Sequence, residues 1–191
     1  NRDDQKRADD LVKRNFNADH PDQLWVSDFT YIQTHSGWVY TAFIIDVFSR
    51  AIVGWKVSTR MNTDMVLDAL EQALHDRGMP KNVIHHSDRG VQYLSIRYTN
   101  RLEAANLRAS VGTTGDSYDN ALAETVNGLY KTEVIEYLKA DWQGLADVQL
   151  ATLNWVDWFN KKRVHSALGY VSPFEFQPMY YDKINPLGQV A

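Results

Sequence analysis

Between Trp38 and Ile45 the chain reads Trp-Val-Tyr-Thr-Ala-Phe-Ile-Ile, and this nearly all-apolar run constrains the fold more than any other feature. A strand with that composition must be covered on both faces, so it belongs at the centre of a sheet. Strand-like runs lie on either side of it: Leu24 to Ile32, then Gly37 to Phe48 around the run itself, then Ala51 to Val57. Only Thr-His-Ser-Gly and a tight Ser49-Arg50 corner separate the three, and links this short make antiparallel neighbours. A helix follows from Thr63, with Val66, Leu70, Ala73 and Leu74 at helical spacing and a stop at Gly78 and Pro80. Next come a strand over Asn82 to His86, a helix carrying Tyr98, Leu102 and Ala105, a strand over Leu107 to Val111 and two further helices. Three strands followed by alternating helix and strand predict an α/β chain with a mixed five-stranded sheet flanked by helices.

The 191 residues fit one domain, with a core large enough to need neither disulfide nor structural metal. No cysteine is present, which suits a reducing compartment and removes thiolate zinc chemistry. No apolar run approaches the roughly 20 residues that cross a bilayer, so no membrane role is expected. The formal charge of −4 argues against a protein that coats nucleic acid, because non-specific affinity for phosphates comes from Lys and Arg. Contact with nucleic acid would have to be local; the stretch holding Lys81, Arg89, Arg97, Arg101 and Arg108 is basic, as a solvated helix face also is. Residues 1–20 alternate in charge without periodicity and read as a linker or loosely attached arm, and the proline-punctuated C-terminal end reads as irregular.

The helix after the Gly- and Thr-rich loop 112–117 is the most informative. At about 100° per residue, Leu122, Val126, Leu129, Tyr130, Val134 and Tyr137 form one apolar stripe, while Glu124, Asn127 and Lys131 line the opposite side. Glu133 falls inside the stripe, where a lone charge is costly; Arg163 and His165 of the tail are its expected partners. Three acids occupy telling places: Asp28 within the first strand, Asp88 just past the fourth, and Glu124 on the polar helix face. A carboxylate in a strand otherwise built as Leu-Trp-Val and Phe-Thr-Tyr-Ile needs a cation or hydrogen bonds. An all-oxygen set favours Mg²⁺ or Mn²⁺ over zinc, and such ions share their coordination with substrate phosphates. Asp46 is a rival strand acid, better placed to cap the Ser49-Arg50 corner; His85 and His86 lack a cysteine partner for zinc; Ser87 has no nucleophile-elbow signature around it.

The segments Leu24-Trp-Val-Ser-Asp-Phe-Thr-Tyr31, His85-His-Ser-Asp-Arg-Gly-Val-Gln-Tyr93 and Gly115-Asp-Ser-Tyr-Asp-Asn-Ala-Leu-Ala-Glu124 resemble the three motif blocks of bacterial insertion-sequence transposases of the OrfB type, in the retroviral-integrase-like group with a ribonuclease-H-like fold. The 35 residues between Asp88 and Glu124 match that group's spacing. The resemblance continues through Ile45 to Arg50 and the tail Asn160 to Pro173, with Val164 where a proline is usual. It implies a catalytic core over 21–178, with 1–20 as linker or arm and 179–191 as C-terminal tail. It implies catalytic, metal-holding roles for Asp28, Asp88 and Glu124 around two Mg²⁺ or Mn²⁺ ions, and cleavage and strand transfer at transposon ends. DNA-contact candidates are Lys131, seven residues after the glutamate, together with Asn127, Tyr118 and Arg89. Expected partners are transposon-end and target DNA, further copies of the chain in the active complex, and a helix-turn-helix protein or N-terminal DNA-binding domain, all in a bacterial cytoplasm. The alternatives are a ribonuclease-H-type nuclease and a non-catalytic DNA-binding module.

Overall fold

The computed structural model describes residues 11–12, 16–88, 92–112, 121–138 and 141–186. Strands β1 (Leu24–Thr34), β2 (Gly37–Asp46) and β3 (Ile52–Ser58) form an antiparallel meander, and β4 (Ile84–Ser87) and β5 (Arg108–Val111) add in parallel on the far side of β1. The order is β3-β2-β1-β4-β5. Helices α1 (Thr63–Asp76) and α2 (Ile96–Ala104) cover one face; α3 (Ala121–Tyr130) and α4 (Leu145–Lys161) cover the other.

The apolar run of β2 is explained by this double cover. Phe43 and Ile45 enter the core shared with Val126, Tyr130, Val148, Trp155 and Phe159, whereas Ala42 and Ile44 enter the core shared with α1 and α2. Consecutive strand residues point to opposite faces, and here both faces are dry. Asn62 caps α1 by accepting from Met65 N–H at 3.1 Å. Gly54 of β3 lets α1 approach closely, since a Cβ there would stand 2.3 Å from the Ala69 carbonyl oxygen.

Three expectations are corrected. Tyr137, placed in the α3 stripe, is 79% exposed. The helix passes into a π-helical turn over Lys131–Glu136, whose wider winding turns each residue less than an α-helix does and rotates Tyr137 off the stripe. The C-terminal end is not irregular: it forms α5 (Pro173–Ile184), which runs through Pro178. Pro173 suits a first helical turn, Glu175 accepts from Ser172 N–H at 2.8 Å, and Phe176 and Tyr180 pack on Phe48, so tertiary contact outweighs the donor Pro178 removes. The N-terminal arm is not loose throughout: Val12 is buried, Leu11 N–H donates to Ser110 Oγ at 2.9 Å, and Phe16 stands edge-on to His86.

Candidate active site

Parallel pairing of β1 with β4 builds the site. The last rung of that ladder is Ser27 with Ser87, so Asp28, the next residue of β1, and Asp88, the first residue past β4, follow it directly. Strands lie about 4.8 Å apart, which puts the two acids side by side at one end of the ladder. Helix α3 lies along the same stretch of β1. Asn127 Nδ2 donates to Asp28 Oδ2 at 2.9 Å and lies 3.5 Å from the Phe29 carbonyl oxygen; one α-turn earlier, Glu124 is exposed at the helix start. Tyr130 anchors the helix below, its hydroxyl 2.7 Å from Thr152 Oγ1 and 3.4 Å from Thr41 Oγ1.

The electrostatics of Asp28 follow from this placement. Burial pushes its carboxyl up to about 6; the Phe29 N–H, bonded to Oδ1 at 2.8 Å, opposes the rise, the charges of Asp88 and Glu124 add to it, and the Asn127 amide again opposes it. All three acids therefore act in one field. Among the described residues no three His, Cys, Asp or Glu side chains are grouped closely enough to hold a metal ion, so Asp28, Asp88 and Glu124 do not form a ready-made ligand cluster. The donor set fits a hard divalent cation: every group is a carboxylate oxygen, and a cation would offset both the burial and the repulsion at Asp28.

Asn127, a DNA-contact candidate, donates its amide to Asp28, and its Oδ1 is buried and without a partner among the described residues. A flipped amide would turn oxygen toward oxygen, so the carboxylate dictates the orientation. The spacing of three residues after Glu124 placed Asn127 on the correct helix face, but which strand that face meets was not legible in the sequence. Lys131 is exposed, its Nζ 5.3 Å from the centre of the Tyr31 ring. Arg89 and Tyr118 lie outside the described residues.

The rival readings resolve as structural roles. Asp46 accepts from Ser49 N–H at 2.9 Å, from Ser49 Oγ at 2.6 Å and from Asp22 N–H at 3.0 Å, closing the corner where Arg50 takes φ 64°. His85 and His86 are buried against Tyr98 and Ser110. Glu133 accepts from Arg163 Nε at 2.8 Å, from a second Arg163 nitrogen at 2.7 Å and from Trp155 Nε1 at 2.9 Å, so the tail supplies the expected partner. In the basic stretch Arg97 pairs with Asp64 and Arg101 with Glu71, as on a solvated helix face.

Among the described residues no helix is long and apolar enough to cross a membrane. The chain is 56% identical over 177 residues to the transposase for insertion sequence element IS629 of Shigella sonnei, covering 93% of this chain and 59% of that protein. It is 38% identical over 172 residues to transposase InsF for insertion sequence IS3A of Escherichia coli K12, covering 89% and 59%. The chain thus spans about three fifths of the length of these relatives. The catalytic core domain of HTLV-2 integrase, solved in complex with magnesium in a trimeric form, superposes with a TM-score of 0.67 at 18% identity over 84% of this chain and 99% of that one. The same ribonuclease-H-like sheet order thus recurs in a retroviral catalytic core. Residues 18–117 match one integrase core domain family and residues 105–173 a second of the same description, and the chain belongs to the integrase core domain family.

Proposed function

We propose that this chain is the catalytic core of an insertion-sequence transposase, cutting and joining DNA phosphodiesters at Asp28, Asp88 and Glu124. The observation that carries the reading is Asp28: a strand carboxylate at the end of a parallel ladder, raised by burial and by the charges of Asp88 and Glu124. The transposase relatives and the magnesium-bound integrase core support it.

Asp28, Asp88 and Glu124 would hold two Mg²⁺ or Mn²⁺ ions. When bound, such ions lower the pKa of an attacking hydroxyl and stabilise the leaving oxygen of an in-line displacement. The protein's own part is positional. Asn127 and the Phe29 N–H fix the Asp28 carboxylate; the β1–β4 register fixes Asp88 beside it; α3 carries Glu124 on an exposed face where DNA can reach it. No side-chain nucleophile is required, so one site serves water for cleavage and a DNA 3′-hydroxyl for joining. The acting partners are transposon-end and target DNA and further copies of the chain. Asp88→Asn removes a ligand charge at constant size and should abolish cleavage and joining together while leaving thermal unfolding unchanged. Near-normal joining of a labelled transposon end by that variant would sink the metal reading; cleavage without joining by the wild type would favour a nuclease.

A further inference from the structure

Asp28 and Asp88 lie just beyond the point where their strands stop being hydrogen-bonded to each other. The β1–β4 ladder closes at Ser27 with Ser87, and past that rung each strand follows its outer neighbour. Asp28 and Phe29 stay paired with Phe43 and Ala42 of β2, while the Ser87 carbonyl accepts from Gly112 N–H at 3.1 Å on the β5 side. With no further rung between β1 and β4, the separation of the two acids has to be set by side chains.

Aromatic rings on the opposite face of the sheet do this. Asp28 faces α3, where Asn127 meets it; the next residue, Phe29, points to the other side, into the core covered by α1 and α2. Five residues after Asp88 the chain is back beneath that face at Tyr93, which is 2% exposed. Its ring stacks on Phe29 with centroids 6.3 Å apart and 26° between the planes. It also stands edge-on to Tyr98 at 5.4 Å, and the Tyr98 hydroxyl lies 2.8 Å from His85 Nε2 of β4. Ser95 Oγ donates to the Gln92 carbonyl at 2.9 Å and caps α2, which fixes the turn that delivers Tyr93. A bridge of packed rings therefore runs from Phe29, beyond the last rung on β1, through Tyr93 and Tyr98 to His85 on β4. Ring pairs of this geometry are comparable in strength with the backbone hydrogen bonds that a further rung would add.

We propose that Tyr93 is a positioning residue for the metal site: its ring, packed on Phe29, sets the separation of the Asp28 and Asp88 carboxylates and so the fit of that pair to Mg²⁺. The inference rests on the functional reading above, in which these two acids hold the ions. Mg²⁺ demands near-ideal octahedral geometry at about 2.0–2.1 Å, whereas Ca²⁺ accepts about six to eight oxygens at about 2.3–2.6 Å in flexible arrangements. Carboxylates released to drift lose Mg²⁺ before they lose Ca²⁺, so preference for the smaller ion is the signature of the bridge.

The test titrates the full chain with Mg²⁺ alone and with Ca²⁺ alone by calorimetry, and follows cleavage of a labelled transposon end against Mg²⁺ concentration. Tyr93→Leu and Phe29→Leu remove the stack from either side, so whichever stays folded by thermal unfolding decides the matter. Either should weaken Mg²⁺ binding about 10-fold, keep Ca²⁺ binding within about twofold of wild type, and raise the half-saturating Mg²⁺ for cleavage by the same factor. Tyr93→Phe keeps the ring and should keep the Mg²⁺ affinity. Gly54→Ala, destabilised on the edge strand β3, should leave the ratio of the two affinities at its wild-type value. The proposal is overturned if a folded Leu variant binds Mg²⁺ as the wild type does, if both ions weaken equally, if Tyr93→Phe behaves like Tyr93→Leu, or if Gly54→Ala shifts the ratio as well. Wild-type Mg²⁺ binding in the Leu variants, with cleavage still requiring Asp88, rejects this inference alone; Mg²⁺ binding and cleavage that survive Asp88→Asn reject the functional reading beneath it.

Discussion

Removing Arg163 tests how the C-terminal segment is held to the helix that carries the site. Glu133 and Arg163 are 23% and 22% exposed at their side chains and share two charge-assisted hydrogen bonds, with Trp155 Nε1 supplying a third donor to the carboxylate. An exposed ion pair is worth about 0–1 kcal/mol, whereas breaking a buried one costs about 3–5 kcal/mol because the surviving charge is stranded. A pair about three-quarters covered lies between, so Arg163→Ala should cost about 2–3 kcal/mol. In a domain of this size that lowers Tm by about 5–10 °C. Much of the loss is the stranded Glu133 carboxylate, so adding Glu133→Gln to Arg163→Ala should recover part of it. Urea and thermal unfolding of both single variants and the double variant give the coupling, expected at about 1–2 kcal/mol. Trp155 also packs on Tyr130 and Phe43, so the same staple seats the base of α3. Additive single effects, or a cost for Arg163→Ala within the range of an ordinary surface change, would refute the argument.

Asn127→Ala should slow metal-dependent cleavage about 10- to 100-fold, partly recovered at raised metal concentration, because it frees the Asp28 carboxylate to turn; wild-type rates at limiting metal would count against this role. His85 is held neutral by burial, its pKa pushed down to about 3 from 6.5, so the unfolded chain takes up a proton that the folded one refuses. Stability should be full above pH 6.5 and fall as pH drops toward 3, by up to about 1.4 kcal/mol per unit, and His85→Asn should flatten that limb in urea titrations at pH 5 and pH 7. Gly54→Ala drives a methyl onto the Ala69 carbonyl and should cost about 2 kcal/mol or more; an unchanged urea midpoint would show that α1 can retreat freely.

Local pattern carried a large part of this protein. The double-sided apolar run placed β2 at the centre, short links made the meander, and helical spacing set Glu124 and Lys131 on one face away from the core. A charge inside an apolar stripe demanded a partner, and Arg163 of the tail is the one that Glu133 meets. These are near-neighbour properties, set by periods of 2 and 3.6 residues and by the cost of burying a charge. Other features depend on which surfaces meet, and only the folded chain decides that. Val12 is buried against a core far from it in sequence, and α5 survives Pro178 because Phe48 receives its aromatic side chains. The π-helical turn rotates Tyr137 into water, and the Asn127 amide is claimed by Asp28, a residue 99 positions earlier. The β1–β4 ladder stops one residue short of Asp28 because β4 is four residues long while β1 is eleven. Strand pairing beyond a hairpin is a long-range choice, paid for in loop entropy and repaid by packing that no single segment encodes.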